Sequence, residues 1–185
     1  MNYRYLNIDY DKTQFEQESL NRDNLEFALM NPQTGYFICT PKNKNFLRDF
    51  ISDLPLQPSA VHFFINPPAV PHIDRGRSCA INFPINVDGI FFVAKEYPTQ
   101  WFEDNVLGVP GVEQIGLRGE SLHWPRFQDT KEHYCYNEST NKGYILNTSM
   151  PHGAIHEGKE KRYILTLSYS QSYDFVDQAY KEYWD

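Results

Sequence analysis

Residues 78–87 read SCAINFPINV and alternate along their length. Cys79, Ile81, Phe83, Ile85 and Val87 face one way, and Ser78, Ala80, Asn82, Pro84 and Asn86 face the other. A chain with this pattern builds a sheet with two chemically different faces. The period of two begins at Val61 with VHFFI, which Pro67 and Pro68 stop. It returns in GIFFVAKEY after the turn at Asp88-Gly89, then in KGYILNTS and in RYILTLSYS.

The ends of the chain follow another period. NKNFLRDFISDL sets Phe46, Leu47, Phe50, Ile51 and Leu54 at helical spacing, with Asn45 as the expected N-cap. YDFVDQAYKEYW does the same with Phe175, Val176, Ala179, Tyr180 and Tyr183. Residues 95–142 hold Pro98, Pro110, Pro125, several glycines and two tryptophans, and read as short strands joined by long loops. The chain of 185 residues has the size of one domain. We divide it into a mixed, partly helical cap (1–60), a β core (61–170) and a terminal helix (171–185). Aromatic residues make up 16% of the chain and favour strands. Short strands with frequent turns point to a mainly β sandwich, jelly roll or barrel, with helices from both ends covering one sheet.

Charge and cysteine usage remove several function classes. The net charge of −7 shows no basic balance, which argues against nucleic acid as a partner. Cys39, Cys79 and Cys135 are widely spaced, with no C-x-x-C pair, so reduced thiols in a cytoplasmic protein are expected rather than a structural zinc site. The N-terminus has no apolar h-region, and no apolar run approaches membrane-spanning length.

PHIDRGR precedes the alternating strand and carries His72 and Asp74. With six His and 12 Asp in the chain, such a pair is expected by chance about 0.4 times, so spacing alone decides nothing. Geometry adds weight. Residues i and i+2 of a strand share a face with Cα atoms roughly 7 Å apart, so an imidazole and a carboxylate can reach one ion. A second His would complete a 2-His-1-carboxylate set for Fe(II). MPHGAIHEGKEKRYIL offers His152 and His156. Read as a hairpin turning near Glu157-Gly158, it sets His152 opposite Arg162 and leaves His156 at the turn.

H-x-D, a distal His and an Arg ten residues later together resemble the Fe(II)/2-oxoglutarate-dependent oxygenases. PHIDRGRSCAINFPI and LNTSMPHGAIHEGKEKRYILTLS are similar to the two signature regions of that superfamily, with a tone near its aspartyl/asparaginyl β-hydroxylase-like and small prolyl-hydroxylase-like members. The likeness covers roughly residues 61–170. It implies a double-stranded β-helix (jelly roll) fold, with His72, Asp74 and His152 as iron ligands and Arg162 as partner of the distal carboxylate of 2-oxoglutarate. Iron, 2-oxoglutarate and O2 are then the expected cofactor and cosubstrates. A small-molecule or peptidyl substrate would be hydroxylated. Two departures stand out. Ile164 occupies the position where many members place a hydroxyl residue, and Asp74 is present where the best-known aspartyl hydroxylases lack an acidic ligand.

If the apolar face of residues 79–87 packs under helices, Ser78 and Asn82 look into the barrel, where Asn82 is either a contact to 2-oxoglutarate or a satisfied core amide. His62, His123, His133 and His156 read as structural, and Arg75 and Arg77 as turn arginines. Trp101 and Trp124 read as packing under the long segment 95–142, which is the expected lid or substrate rim. Two rivals remain: a cupin-type metalloenzyme without 2-oxoglutarate, whose H-x-H run is absent, and a non-catalytic jelly-roll module with a vestigial metal site.

Overall fold

The computed structural model describes residues 2–31, 36–65, 72–74, 77–94, 106–109, 112–115, 133–138, 142–150, 152–155 and 160–185. The fold is mainly β, with thirteen strands and three α-helices among the described residues. In chain order these are β1 (Tyr3–Leu6), α1 (Lys12–Leu20), β2 (Leu25–Asn31), β3 (Tyr36–Pro41), α2 (Lys44–Ser52), β4 (Ala60–Ile65), β5 (His72–Asp74), β6 (Cys79–Pro84) and β7 (Gly89–Ala94). There follow β8 (Val106–Val109), β9 (Val112–Ile115), β10 (His133–Glu138), β11 (Gly143–Asn147), β12 (His152–Ile155), β13 (Tyr163–Tyr169) and α3 (Tyr173–Ala179).

Two antiparallel sheets result. The larger has the order β1-β11-β6-β13-β4-β3-β2, the smaller β10-β7-β12-β5-β9-β8. From β4 to β7 successive strands alternate between the two sheets, and from β10 to β13 they do so again. β6 and β13 lie in the middle of the larger sheet, and both of their faces are buried. Pro84, which has no N–H to give, closes β6 where β11 has already ended. The last β6–β11 pair is Asn82 with Tyr144.

The odd-numbered residues of β6 and β13 form the main core. Ile81, Phe83, Leu165, Leu167 and Tyr169 pack with Phe15 of α1, Phe46 and Leu47 of α2, and Val176 and Tyr180 at α3. Phe83 is wedged edge-on between Tyr10 and Phe50, with ring centroids 5.1 and 5.5 Å away. A Cβ at Gly143 would lie 2.6 Å from the same ring, so that strand position admits only glycine without displacing the core. The even-numbered face looks the other way. There Tyr3, Tyr144 and Leu146 of the larger sheet meet Val93 of the smaller one.

Several local expectations change. The cap of α2 is Asn43, whose side chain accepts from the Asn45 N–H, so the helix starts earlier than the apolar spacing implied. Ser172 caps α3, which turns Tyr173, Val176 and Tyr180 inward and leaves Phe175 56% exposed. The region 1–60 adds three strands as well as helices: β1 extends one edge of the larger sheet, and β2 and β3 extend the other. The chain's two ends meet there. Leu6 bridges Trp184, the Asp185 N–H donates to the Tyr5 carbonyl at 3.3 Å, and Arg4 pairs with Asp177 at 3.0 Å.

Candidate metal centre

The expected hairpin does not form. β12 belongs to the smaller sheet and β13 to the larger, so His152 is not paired with Arg162. The reason is burial. β13 is apolar or buried on both faces and is placed between β6 and β4, where both faces are covered. His152 pairs instead with His72 of β5 on one side and with Val93 of β7 on the other. This register joins the H-x-D pair to the distal histidine more directly than the hairpin would have done. Positions 72 and 152 are opposite each other on neighbouring strands, and Asp74 lies two residues along β5. The His72 side chain lies outside the described residues.

Asp74 and His152 are described in full, and both side chains are nearly buried, at 7% and 5% exposure. His152 Nε2 stands 3.6 Å from Asp74 Oδ2. His152 Nδ1 lies 2.8 Å from the Met150 carbonyl oxygen, which can only accept. Nδ1 therefore carries the proton, and in a neutral ring Nε2 turns a lone pair toward a carboxylate oxygen. Asp74 Oδ2 also accepts from Arg77 Nε at 2.5 Å, and an imidazole nitrogen and a carboxylate oxygen this close can act together as donors to one metal ion. Cis ligands of a first-row metal ion stand about 3 Å apart, so this pair would have to close by only about half an ångström. A histidine whose second nitrogen is fixed by a carbonyl is also the common arrangement of a metal ligand. The two described donors are of the types that first-row divalent metals accept. Among the described residues no three His, Cys, Asp or Glu side chains are gathered, but that group does not include His72.

The segment around the pair is held by Thr148, which is fully buried. Its carbonyl accepts from the Asp74 N–H at 3.1 Å, and its hydroxyl donates to the Arg77 carbonyl at 3.0 Å. Arg77 is not an exposed turn arginine. Its Nε–H donates to Asp74 Oδ2 at 2.5 Å and its Nη1 group to Ser168 Oγ at 3.2 Å, with Cζ 5.3 Å from the centre of the Phe64 ring. Thr148 and Arg77 were missed as site residues, although Thr148 lies inside the LNTSMPH segment and Arg77 only three residues from Asp74.

The inner face of the larger sheet carries a polar row. His62, Thr166, Asn82 and Tyr144 are successive neighbours across β4, β13, β6 and β11. Thr166 donates to Asn82 Oδ1 at 2.6 Å, so this amide oxygen already has a partner. Arg162 precedes β13 and is 4% exposed. The parity of β13 puts it on the Thr166 and Ser168 side rather than on the helix-covered side. Ser78 lies at the start of β6, where its N–H donates to the Tyr169 carbonyl and its carbonyl accepts from Ser149 Oγ. His62 is half-buried, and burial first, then the nearby Arg77 charge, push its pKa below 6.5. Trp101, His123, Trp124 and His156 lie outside the described residues, as does the side chain of His133.

No family model matches the sequence, and no curated protein matches it. Among solved structures the chain is similar to the X-ray structure of E. coli ycfD, with 9% identity and a TM-score of 0.48. That likeness covers 90% of this chain and 49% of the other, so this chain spans about half the length of that one.

Proposed function

We propose that the protein is a non-haem Fe(II)- and 2-oxoglutarate-dependent dioxygenase built on a double-stranded β-helix. The observation that carries the reading is the facing pair of His152 Nε2 and Asp74 Oδ2, with position 72 in register beside it. The strand orders β11-β6-β13-β4 and β10-β7-β12-β5, visited alternately by the chain, support the β-helix. His72, Asp74 and His152 would hold the iron. Bound there with 2-oxoglutarate and O2, it would supply the oxidising chemistry: one oxygen atom enters a substrate C–H bond as a hydroxyl, and the other enters succinate as CO2 leaves.

The chain's own residues set the conditions for that chemistry. The Met150 carbonyl keeps His152 in the tautomer that offers Nε2. Arg162 would neutralise the distal carboxylate of 2-oxoglutarate inside the fold, where a bare anion is costly. What supports that role is its burial and its place before β13 on the side of Thr166 and Ser168, not a pairing with His152. With Ile164 where a hydroxyl is common, the Thr166 and Asn82 pair on the same face is the candidate second partner. Ser78 is the outermost candidate. The substrate we favour is a peptidyl side chain or a small metabolite. Cys39 and Cys79, both buried and unbridged, suit a reducing cytoplasm.

The test is an anaerobic titration with Fe(II) and 2-oxoglutarate, followed by succinate measurement in air. The expected result is a metal-to-ligand charge-transfer band and slow succinate release even without the true substrate. Both should be lost in Asp74→Ala. A protein that binds neither iron nor 2-oxoglutarate would overturn the reading.

A further inference from the structure

We infer that Arg77 is a positioning residue of this centre: it fixes the Asp74 carboxylate against His152 and ties it, through Ser168, to the strand that follows Arg162. The inference rests on the metal reading proposed above.

A carboxylate is a poor ligand when it is free to turn, because each rotation about its last bond exchanges or withdraws the donating oxygen. Asp74 is restrained at two points. Its N–H is bonded to Thr148, and its Oδ2 accepts from Arg77 while also facing His152. Arg77 is restrained in turn. Thr148 Oγ1 holds its carbonyl, Ser168 Oγ accepts from its Nη1, and the Phe64 ring lies beneath its guanidinium. One planar cation therefore touches the smaller sheet at Asp74 and the larger sheet at Phe64 and Ser168. Only a guanidinium has a donor fork rigid enough to reach an acid on one sheet and a hydroxyl on the other. Its side chain is only 20% exposed, unlike that of an ordinary surface arginine.

Two effects oppose each other when a metal arrives. The fixed positive charge of Arg77 repels the incoming cation. The pre-set carboxylate spares that cation the work of ordering its ligand. Hydrogen bonds to metal ligands from outside the coordination sphere are typically worth about 10- to 100-fold in metal affinity. Arg77 and the metal also share the carboxylate's charge between them rather than meeting directly. Positioning should therefore win.

The probe is Mn(II) alone, with the unbound ion counted by electron paramagnetic resonance in titrations of the parent chain, Arg77→Gln, Arg77→Lys and Ser168→Ala. Arg77→Gln should bind Mn(II) about 10- to 100-fold more weakly. Arg77→Lys should recover part of the loss, because an ammonium restores the charge but cannot reach both Asp74 and Ser168. Ser168→Ala should lose a smaller factor than Arg77→Gln. A purely structural role would leave the Co(II) absorption spectrum of saturated protein unchanged, whereas a displaced carboxylate should shift its bands in Arg77→Gln. Parental Mn(II) affinity and an unchanged Co(II) spectrum in Arg77→Gln would overturn the inference, as would tighter binding. If Arg77→Gln does not fold, parental affinity in both Arg77→Lys and Ser168→Ala overturns it equally. A parent chain that takes up no Mn(II), Fe(II) or Co(II) would remove the metal reading itself. A parent that binds them alongside indifferent variants would remove only the role of Arg77.

Discussion

The two faces of the larger sheet are made by the same strands, and among the described residues only one of them carries a row of buried polar groups. On the helix-covered face, odd residues of β6 and β13 present Phe83, Ile81, Leu165 and Leu167, and Phe83 makes edge-on contacts to Tyr10 and Phe50. On the inner face, even residues of the same strands present Asn82, Thr166 and Ser168, with Arg162 just beyond the strand end. The difference teaches a division of labour. The helix face supplies burial. The inner face carries buried polar groups, and such groups are expected where a site must bind charge.

Three perturbations would break or sharpen that contrast. The largest belongs to the helix face. Phe83→Ala should cost about 3–5 kcal/mol in urea unfolding, because Tyr10, Phe50 and the Gly143 backbone leave a cavity that cannot collapse easily. The folded fraction should retain parental metal affinity, and a large loss of affinity would show that the two faces are not separable. Next is Arg162→Ala on the inner face. Loss of a buried charge-assisted contact should weaken 2-oxoglutarate by about 2–4 kcal/mol, or about 30- to 1,000-fold, while iron binding is kept. The anaerobic charge-transfer titration reads it, and a parental curve would make Arg162 an ordinary residue of that face.

The smallest effect concerns His62. Its folded pKa lies below 6.5, so the unfolded chain binds the proton more readily. The stability linked to this group is present above about pH 6.5 and is lost as pH falls toward the lower folded value. Urea midpoints at pH 7.5 and 5.5 should therefore differ less in His62→Gln than in the parent. An identical pH dependence would show that the inner face tolerates the extra charge.

Much of this contrast was legible in the sequence, because period two assigns faces without any knowledge of topology. The parity of residues 78–87 placed Phe83 under the helices and Asn82 inside, and both are found there. Residue type and spacing lead to the expectation that His72, Asp74 and His152 act together; the structure sets positions 72 and 152 in register and Asp74 beside His152, but not by the expected hairpin. The turn signals around Gly158 are local. They show that the chain changes direction, and they do not say which sheet receives the next strand. The decision came from burial on both faces of β13, which only the assembled sheets reveal. Thr148 and Arg77 were illegible for a related reason. Thr148 reaches Arg77 across 71 residues and Arg77 reaches Ser168 across 91, and although Asp74 is only three residues from Arg77, no local pattern marks that guanidinium as anything but a turn residue.

The meeting of the two chain ends has a kinetic consequence. Arg4 and Asp177 are 173 residues apart in sequence, and β1 pairs along its length with β11. Contacts this distant form late, because the loop they close must first lose its freedom. Until they form, the β11 edge is an open row of backbone donors and acceptors, able to pair with β11 of another chain. Dilution should therefore help refolding, since self-association at that edge competes with the capture of β1.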